Sequence, residues 1–500
     1  MVVVWAGLSS LATLLLPNVP VGQARTSAAD GMVVGAVHMH TLESDGSGTV
    51  DDLVDAAVAH GLDFIVVTDH NTLKPTTYEY RRGVLVVHGE EFSSVLGHMV
   101  MLDVDTVRVR EADSLDRFHG LTYHRDPGDV GVRIAAHPNG RRFWRDRSAS
   151  TLDGLELWNA DSEWRNDGPL DWLEALTLLP LRPSLAMLAL VDRPSDNLAF
   201  LDSASVGRTL STTCAVDAHS RIDLTETRFL RFPSYATSLG LVHQHLPIPE
   251  VPTGDASVDG PRLVEAIRSG GGHCAIGGVA DDGGVRIEQT PDGIRVSVPD
   301  DIPRVRIRVV RNGNLVVEEE SHSVRVATAE PGMYRVEIDV RVRLIRSRWL
   351  PWILSAPLWV GPRPDDPPAY LLGSFEDDYG NRYTITPEAW VQEPDVRYGV
   401  DWWYGSQGFL VARNAPDNPT DAGLWTRIDW VRLGADESTT GTQGRDATSV
   451  DGDNGWTWAF CLSTWDAPTR ADARATEGAD SATPRSGCGG FPFSRMRRVE

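Results

Sequence analysis

The sequence predicts an α/β protein that continues into antiparallel β structure. Three apolar, β-rich runs at residues 33–37, 64–67 and 84–87 each lead into His, Asp or Glu. The carboxyl ends of parallel strands meet at one edge of an α/β sheet, which is where such folds build their sites. From about residue 285 the pattern changes to short alternating runs, which indicates antiparallel strands.

The first predicted strand ends in a possible ligand pair. Side chains alternate along a strand, so His38 and His40 lie on one face. Asp45 follows in a turn, and a helix is then expected between Thr49, which can cap it, and Gly61.

The next two predicted strands end in the same kinds of residue. The second leads into Asp69 and His70, the third into Glu90 and Glu91, and His98 follows shortly after. Three successive strands therefore deliver imidazoles and carboxylates to one edge, a donor set that suits Zn, Mn or Fe(II).

This order of motifs resembles the polymerase-and-histidinol-phosphatase (PHP) family of metal-dependent phosphoesterases. The family motifs HxH, SDG, TDH, GxE, AHP and DxH are matched in order by His38-Met39-His40, Ser44-Asp45-Gly46, Thr68-Asp69-His70, Gly89-Glu90-Glu91, Ala136-His137-Pro138 and Asp217-Ala218-His219. The match covers roughly residues 33–225. The resemblance implies a distorted, TIM-like barrel of seven β/α units, (βα)7, and a cluster of two or three divalent metal ions.

The resemblance also implies which side chains hold the ions. One ion would take His38, His40, Glu91 and Asp217, a second Asp45, His70 and His219, and a third Glu91, His98 and His137. Glu91 would then bridge two ions that share a hydroxide. Such a hydroxide forms at neutral pH, because bound cations lower the pKa of water from 15.7 to about 7. Asp69 is expected to orient His40 or His70 instead of binding metal. Asp45 stands where the family usually has histidine.

Arginines after His137 are candidates for substrate binding. Arg141, Arg142 and Arg145 follow within a loop that could reach the mouth of the site, and guanidinium suits a phosphate. Ordinary surface charge explains them equally well.

The beginning of the chain predicts export. The first charged residue is Arg25, and residues 2–16 are mostly apolar. This length fits a signal peptide over residues 1–25 better than a membrane span, although a basic n-region is missing. We expect a secreted or periplasmic protein, with a mis-set start codon or an apolar tail as the alternative.

Composition limits the partners. The chain has 500 residues and a net charge of −23, so it should hold more than one domain and repel nucleic acid and anionic membranes.

Residues 172–191 are strongly apolar, but Glu174 and two prolines favour one or two buried helices over a membrane span. A further helix is expected from residue 197 to 208.

Four cysteines are too few for a disulfide scaffold. Cys214 and Cys274 lie in apolar or Gly-rich surroundings and are expected to be buried thiols. Cys461 and Cys488 could form one disulfide if the protein is exported.

The domain organisation follows from these patterns. We expect a PHP metallohydrolase domain at residues 33–285, a β-sandwich at 286–362, a linker at 363–369 and a small Trp-rich β domain, closed or sandwiched, at 370–500. The sandwich, with its YRVE and PWILS segments, is similar to the carbaryl-hydrolase-like branch of the family.

Three functional hypotheses follow. The resemblance implies a metal-dependent phosphoesterase acting on a small phosphate ester. The same metals could instead cleave a carbamate or carboxylic ester. A non-enzymatic surface binding protein with structural metals ranks last, because open clusters leave coordination positions for substrate.

Overall fold

The computed structural model of the chain describes residues 31–104, 131–433 and 456–499, apart from 73, 95, 141–142, 146, 148, 150–151, 180–182, 207, 226–227, 249, 281–282, 328–329, 362 and 364. The chain forms two compact units, which divide after Gly361. The predicted signal peptide lies outside the described residues.

The first unit combines strands with short helices. Its strands are β1 Met32–Met39, β2 Phe64–Val67, β3 Thr77–Arg81, β4 Val84–His88, β5 Glu90–Ser94, β6 Gly97–Leu102, β7 Val132–Ala135, β8 Gly154–Asn159, β9 Ser211–Ala218, β10 Ile222–Thr225, β11 Arg228–Leu230, β12 His243–Pro247, β13 His273–Ala275, β14 Arg286–Thr290, β15 Gly293–Ser297, β16 Val305–Arg311, β17 Asn314–Glu319, β18 Ser323–Val326, β19 Gly332–Arg343, β20 Ser347–Ser355 and β21 Leu358–Val360. Its helices are α1 Val50–His60, α2 Ala160–Asn166, α3 Pro169–Leu178, α4 Pro183–Leu188, α5 Ser195–Ala204, α6 Tyr235–Leu239 and α7 Ala256–Ser269.

Strand β1 lies at the centre of a mixed 16-stranded sheet. It pairs in parallel with β2 and β9, and these continue in parallel to β4 on one side and to β8 and β7 on the other. The carboxyl ends of six strands are thereby gathered at one edge. This mixed α/β sheet fits the core of the predicted fold class.

A regular barrel of seven β/α units is not shown. Within the described residues, β6 pairs antiparallel with both β5 and β7. The reason is local: only two residues join β5 to β6, and Ser94 donates a hydrogen bond to the carbonyl of Gly97 across this turn. A parallel pair needs a crossover of a dozen or more residues, so such a turn can only produce a hairpin.

Helix α1 forms as the sequence predicts. The Thr49 hydroxyl accepts from the Asp52 amide while the Asp52 carboxylate accepts from the Thr49 amide, a capping box at the helix start. Gly61 ends the helix in the left-handed conformation at φ 66°.

The apolar segment at residues 172–191 contributes to α3 and α4. Leu185 and Leu188 of α4 are buried as expected. Helix α3 buries one face with Ala175 and Leu178, whereas its Leu173 and Leu176 are exposed. The structure describes no helix that is long and apolar enough to span a membrane.

The antiparallel strands expected after residue 285 are present. β14, β15 and β18 form a three-stranded sheet, whereas β16, β17, β19 and β20 extend the large sheet through β13 and β12. Asn312 and Gly313, both with positive φ, make the hairpin turn between β16 and β17.

The expectation of two buried thiols at Cys214 and Cys274 is wrong. They form a disulfide with Cα atoms 5.7 Å apart, because β9 and β13 contact each other although β1 and β12 separate them in the strand order of the sheet. The sequence could not suggest this pairing across 60 positions. Cys461 and Cys488 form the second disulfide, as the sequence allowed.

In its described residues, the second unit is a closed eight-stranded antiparallel barrel with one α-helix. Its elements are β22 Gly373–Asp377, β23 Arg382–Ile385, β24 Ala389–Gln392, β25 Val396–Tyr404, β26 Phe409–Asn414, β27 Trp425–Arg432, β28 Trp458–Ala467, α8 Arg470–Ala475 and β29 Ser494–Arg498. Trp390 and Trp458 are fully buried in the main hydrophobic cluster of this unit, and Trp425 is buried in a second cluster that includes Ala473 of α8.

Candidate metal centre

Nine predicted ligands come together at the edge where the parallel strands end. His38 lies in β1 with His40 directly after it, His70 follows β2, and Glu91 and His98 lie on β5 and β6. His137 follows β7, Asp217 lies in β9, and His219 and Asp45 occupy the loops that follow β9 and β1.

The carboxylate of Glu91 is the centre of this cluster. Its Oε2 lies 3.0 Å from His38 Nε2, 3.2 Å from His40 Nε2 and 3.2 Å from His70 Nδ1. Its Oε1 lies 2.7 Å from His98 Nδ1 and 3.0 Å from His137 Nε2. The two oxygens of one buried carboxylate therefore face two separate groups of imidazoles.

Asp217 provides a second carboxylate beside the first. Its Oδ1 lies 3.2 Å from His40 Nε2, 3.6 Å from His38 Nε2 and 3.5 Å from His219 Nδ1. His40 thus points between two carboxylates, an arrangement in which one cation can be shared among all the donors.

Asp45 forms the outer side of the cluster. Its carboxylate lies 3.3 Å from His219 Nε2 and 3.7 Å from His70 Nε2. About half of the Asp45 side chain is exposed, whereas the Glu91 side chain is 1% exposed. Asp45 and His219 therefore border the solvent, while Glu91 lies at the back.

The donor set fits divalent metal ions. Three groups have their ligand atoms within 4.8 Å of one another: His38, His40, Glu91 and Asp217; His40, Asp45, His70 and His219; and His70, Glu91 and His98. His40 Nδ1, His40 Nε2 and His70 Nδ1 are buried without a hydrogen-bond partner, although carboxylate oxygens are close. Buried polar atoms are normally paired, and a bound cation would pair these nitrogens.

Three of the candidate ligands have a left-handed backbone. His38, His137 and Asp217 have φ values of 69°, 33° and 48°. At His38 and Asp217 the β1–β9 register shifts between Val37 and Met39, so the strands bulge where they carry ligands. Such strain concentrates at functional sites and persists only where surrounding contacts hold it.

Electrostatics keep the carboxylates charged. Burial opposes ionisation of Glu91, but the imidazoles of His38 and His137 hold its pKa well below the usual range. Burial also opposes protonation of His219, but the Asp45 hydrogen bond and the charge of Asp217 raise its pKa to about 9. The carboxylate of Glu91 therefore stays ionised although it is buried, and an ionised carboxylate can bind a cation.

Among the described residues, the Asp69 carboxylate has no hydrogen bond to the ring of His40 or His70, which it was expected to orient. Its carboxylate accepts hydrogen bonds from the amide and hydroxyl of Thr41, each at 2.7 Å, and from the Ser44 hydroxyl at 2.5 Å. Because it bonds to the loop after β1, it supports the loop that carries Asp45 instead of orienting a histidine ring.

Sequence reasoning missed Glu156, a fully buried acid on β8. Its Oε1 lies 2.6 Å from His38 Nδ1, and its Oε2 accepts from the amide of His137 at 2.7 Å. The only available signal was an acid within the apolar strand Leu155–Asn159, which no motif marks.

The predicted role of the arginines after His137 in substrate binding stays a prediction. Arg141 and Arg142 lie outside the described residues, and Arg145 is exposed. The second HxH pair, His243 and His245, lies on β12 outside the three groups of possible metal ligands.

A cavity of about 220 Å³ adjoins the cluster at His137. Its lining includes the acids Glu163, Asp167, Asp192 and Asp196. Burial and the neighbouring Asp192 raise the pKa of Glu163 to about 8 and that of Asp167 to about 7, so these two carboxyl groups hold protons near neutral pH.

No family model and no curated protein sequence matches the chain. Among solved structures it is similar to a two-domain protein from Bacteroides vulgatus containing a predicted PHP-like metal-dependent phosphoesterase, at 13% identity and a TM-score of 0.31, covering 69% of this chain and 97% of that one. A candidate metal-dependent phosphoesterase from Bifidobacterium adolescentis has 16% identity and a TM-score of 0.23, with coverage of 41% and 94%.

An amidohydrolase from Chromobacterium violaceum, with bound sulfate and no metal, has 15% identity and a TM-score of 0.21, with coverage of 37% and 87%. Similarities with TM-scores this low carry no argument about fold or function. Functional assignment therefore depends on the geometry of the cluster itself.

Proposed function

We propose that this chain is a metal-dependent hydrolase of the PHP type that cleaves a small phosphate ester. The observation that carries the proposal is the buried carboxylate of Glu91, with five imidazole nitrogens within 3.2 Å of its two oxygens. A carboxylate surrounded in this way has little use in a hydrophobic core, whereas it is the expected centre of a multi-metal site.

Zn, Mn or Fe(II) bound here would supply Lewis acidity, which makes water acidic at neutral pH and stabilises negative charge on phosphoryl oxygens. His38, His40, Glu91 and Asp217 would hold one ion, Asp45, His70 and His219 a second, and Glu91, His98 and His137 a third. The residues themselves set the geometry of the site. Glu91 lies between two groups of imidazoles, and both Glu91 and Asp217 contact the Nε2 atom of His40.

The solvent exposure of the individual side chains supports a particular side of the cluster as the entrance for substrate. His38 and Glu91 are buried and exclude water from the back of the site, whereas Asp45 and His219 are partly exposed. A small ester can therefore approach the cluster past Asp45 and His219. No side-chain nucleophile is required for this reaction.

The first test measures metal content and hydrolysis together. The purified full chain should contain divalent metal, and it should hydrolyse 4-nitrophenyl phosphate with a rate that chelator removes and Zn, Mn or Fe(II) restores. A naphthyl carbamate and 4-nitrophenyl acetate, assayed side by side, distinguish phosphoester cleavage from the carbamate and ester alternatives. Faster turnover of the carbamate than of the phosphate would contradict the phosphoesterase assignment.

A pair of variants makes this test specific. Glu91→Gln should lose metal and reduce kcat/KM by at least about a hundredfold, since the bridging charge is gone. His88→Gln is the matched control, because His88 also contacts a glutamate, Glu79 at 2.9 Å, but belongs to none of the three ligand groups. Metal bound without turnover of any of these substrates would support a binding protein instead.

A further inference from the structure

We propose that Glu156 and Asn159 form a positioning pair that holds three metal ligands in their binding geometry; this inference rests on the proposed metal site. Both residues lie on β8, and both are buried. Neither belongs to the three groups that could hold a metal.

The contacts of the pair lead to three separate ligands. Glu156 accepts from the His38 ring at 2.6 Å and from the backbone amide of His137 at 2.7 Å. The Asn159 amide donates to Glu156 Oε2 at 2.9 Å and to Asp217 Oδ2 at 3.1 Å. Strand β8 thereby bonds to ligands carried by β1, by β9 and by the segment after β7.

These three ligands are also the strained ones. Of the nine candidates, His38, His137 and Asp217 are those with positive φ. A left-handed backbone is strained at a residue other than Gly, and it persists only when neighbouring contacts impose it. The pair supplies a contact at each of the three positions.

The Glu156 contact also decides which nitrogen of His38 is free. A proton on Nδ1 is donated to Glu156, so Nε2 keeps its lone pair and faces Glu91 and Asp217 at 3.0 and 3.6 Å. Carboxylates that hold a ligand histidine in this way fix its tautomer and raise its basicity.

A purely structural role explains the contacts less well. Burial of a carboxylate is costly unless it is hydrogen-bonded. Within the described part of the chain, the Glu156 carboxylate hydrogen-bonds to His38, His137 and Asn159, each of which is a candidate ligand or bonds to one. Its strand neighbours Leu155 and Leu157, by contrast, pack into the hydrophobic core.

Glu156→Gln is the first test, measured as metal affinity by competition with a chromophoric chelator. The variant keeps the side-chain size but loses an acceptor and the charge, so we expect zinc affinity to fall about 10- to 100-fold. Thr213→Val is the matched control: Thr213 is buried, pairs with Glu156 in the sheet, and its hydroxyl has no hydrogen-bond partner. It should keep wild-type affinity.

A spectroscopic measurement keeps the proposal testable if the variant is unstable. In zinc-loaded wild-type protein with 15N-labelled histidine, His38 should carry its proton on Nδ1, and Glu156→Gln should weaken or shift that signal. A proton on Nε2 of His38, or unchanged zinc affinity in Glu156→Gln, would overturn the positioning role. If the wild-type chain binds no metal, both this inference and the proposed function fail. If the wild-type chain binds zinc and Glu156→Gln binds it equally well, only this inference fails.

Discussion

At the scale of single residues, the site depends on how closely chain segments approach each other. Gly46 follows Asp45, and a Cβ added at Gly46 would lie 2.3 Å from the carbonyl oxygen of His40. Any larger residue must therefore move the loop that carries Asp45 away from the end of β1.

We accordingly expect Gly46→Ala to weaken metal binding, chiefly for the ion beside Asp45, His70 and His219. Metal stoichiometry of the purified variant measures this, and about one equivalent should be lost. Gly168→Ala is the control, because the nearest atom to its added Cβ is 3.4 Å away and belongs to the side chain of Asp171. Full stoichiometry in Gly46→Ala would show that the loop adapts.

Residue identities also show where sequence reasoning was informative. The motifs named all nine candidate ligands, and the structure brings their side chains to one edge of the sheet. Glu156 could not be named, because an acid in an apolar strand has a functional meaning only when its partners, 118 and 19 positions away, are known.

At the scale of elements, the disulfide between Cys214 and Cys274 ties β9, which carries Asp217, to β13. Its loop spans 60 residues, and closing a loop of this size constrains the unfolded chain. Replacement of both cysteines by serine should cost about 2–4 kcal/mol of unfolding free energy, measured by denaturant titration. No loss of stability would mean that the two thiols are not joined in solution.

The acidic cavity between α2 and α5 predicts a pH dependence of stability. The folded pKa values of Glu163 and Asp167, about 8 and about 7, lie above their ordinary values of 4.5 and 3.8, so the folded state binds protons more tightly than the unfolded state. Stability should therefore fall as pH rises from about 5 to 8.

Glu163→Gln should remove part of this pH dependence and stabilise the protein at pH 8. Thermal unfolding at pH 5 and pH 8 measures the effect, with the exposed Glu319→Gln as the control. If wild type and Glu163→Gln lose the same stability between these values, the cavity does not hold the protonated acid.

At the scale of the whole molecule, metal binding and folding should be linked. An ion that binds only the folded state stabilises it by about 2.7 kcal/mol when free metal is 100 times its Kd. Calorimetry of the full chain should thus show an unfolding transition that rises with added zinc and falls with chelator. His88→Gln should respond like wild type, and Glu91→Gln should not respond.

The sequence by itself determined which residues could bind metal, the strands that carry them, the capped helix α1 and the antiparallel strands after residue 285. These follow from local patterns, namely side-chain alternation, caps and the order of motifs. Tertiary structure alone decided the Cys214–Cys274 bond, the contacts of Asp69 and the pair Glu156–Asn159. Each of these depends on distances between segments far apart in the chain, and no local pattern encodes those distances.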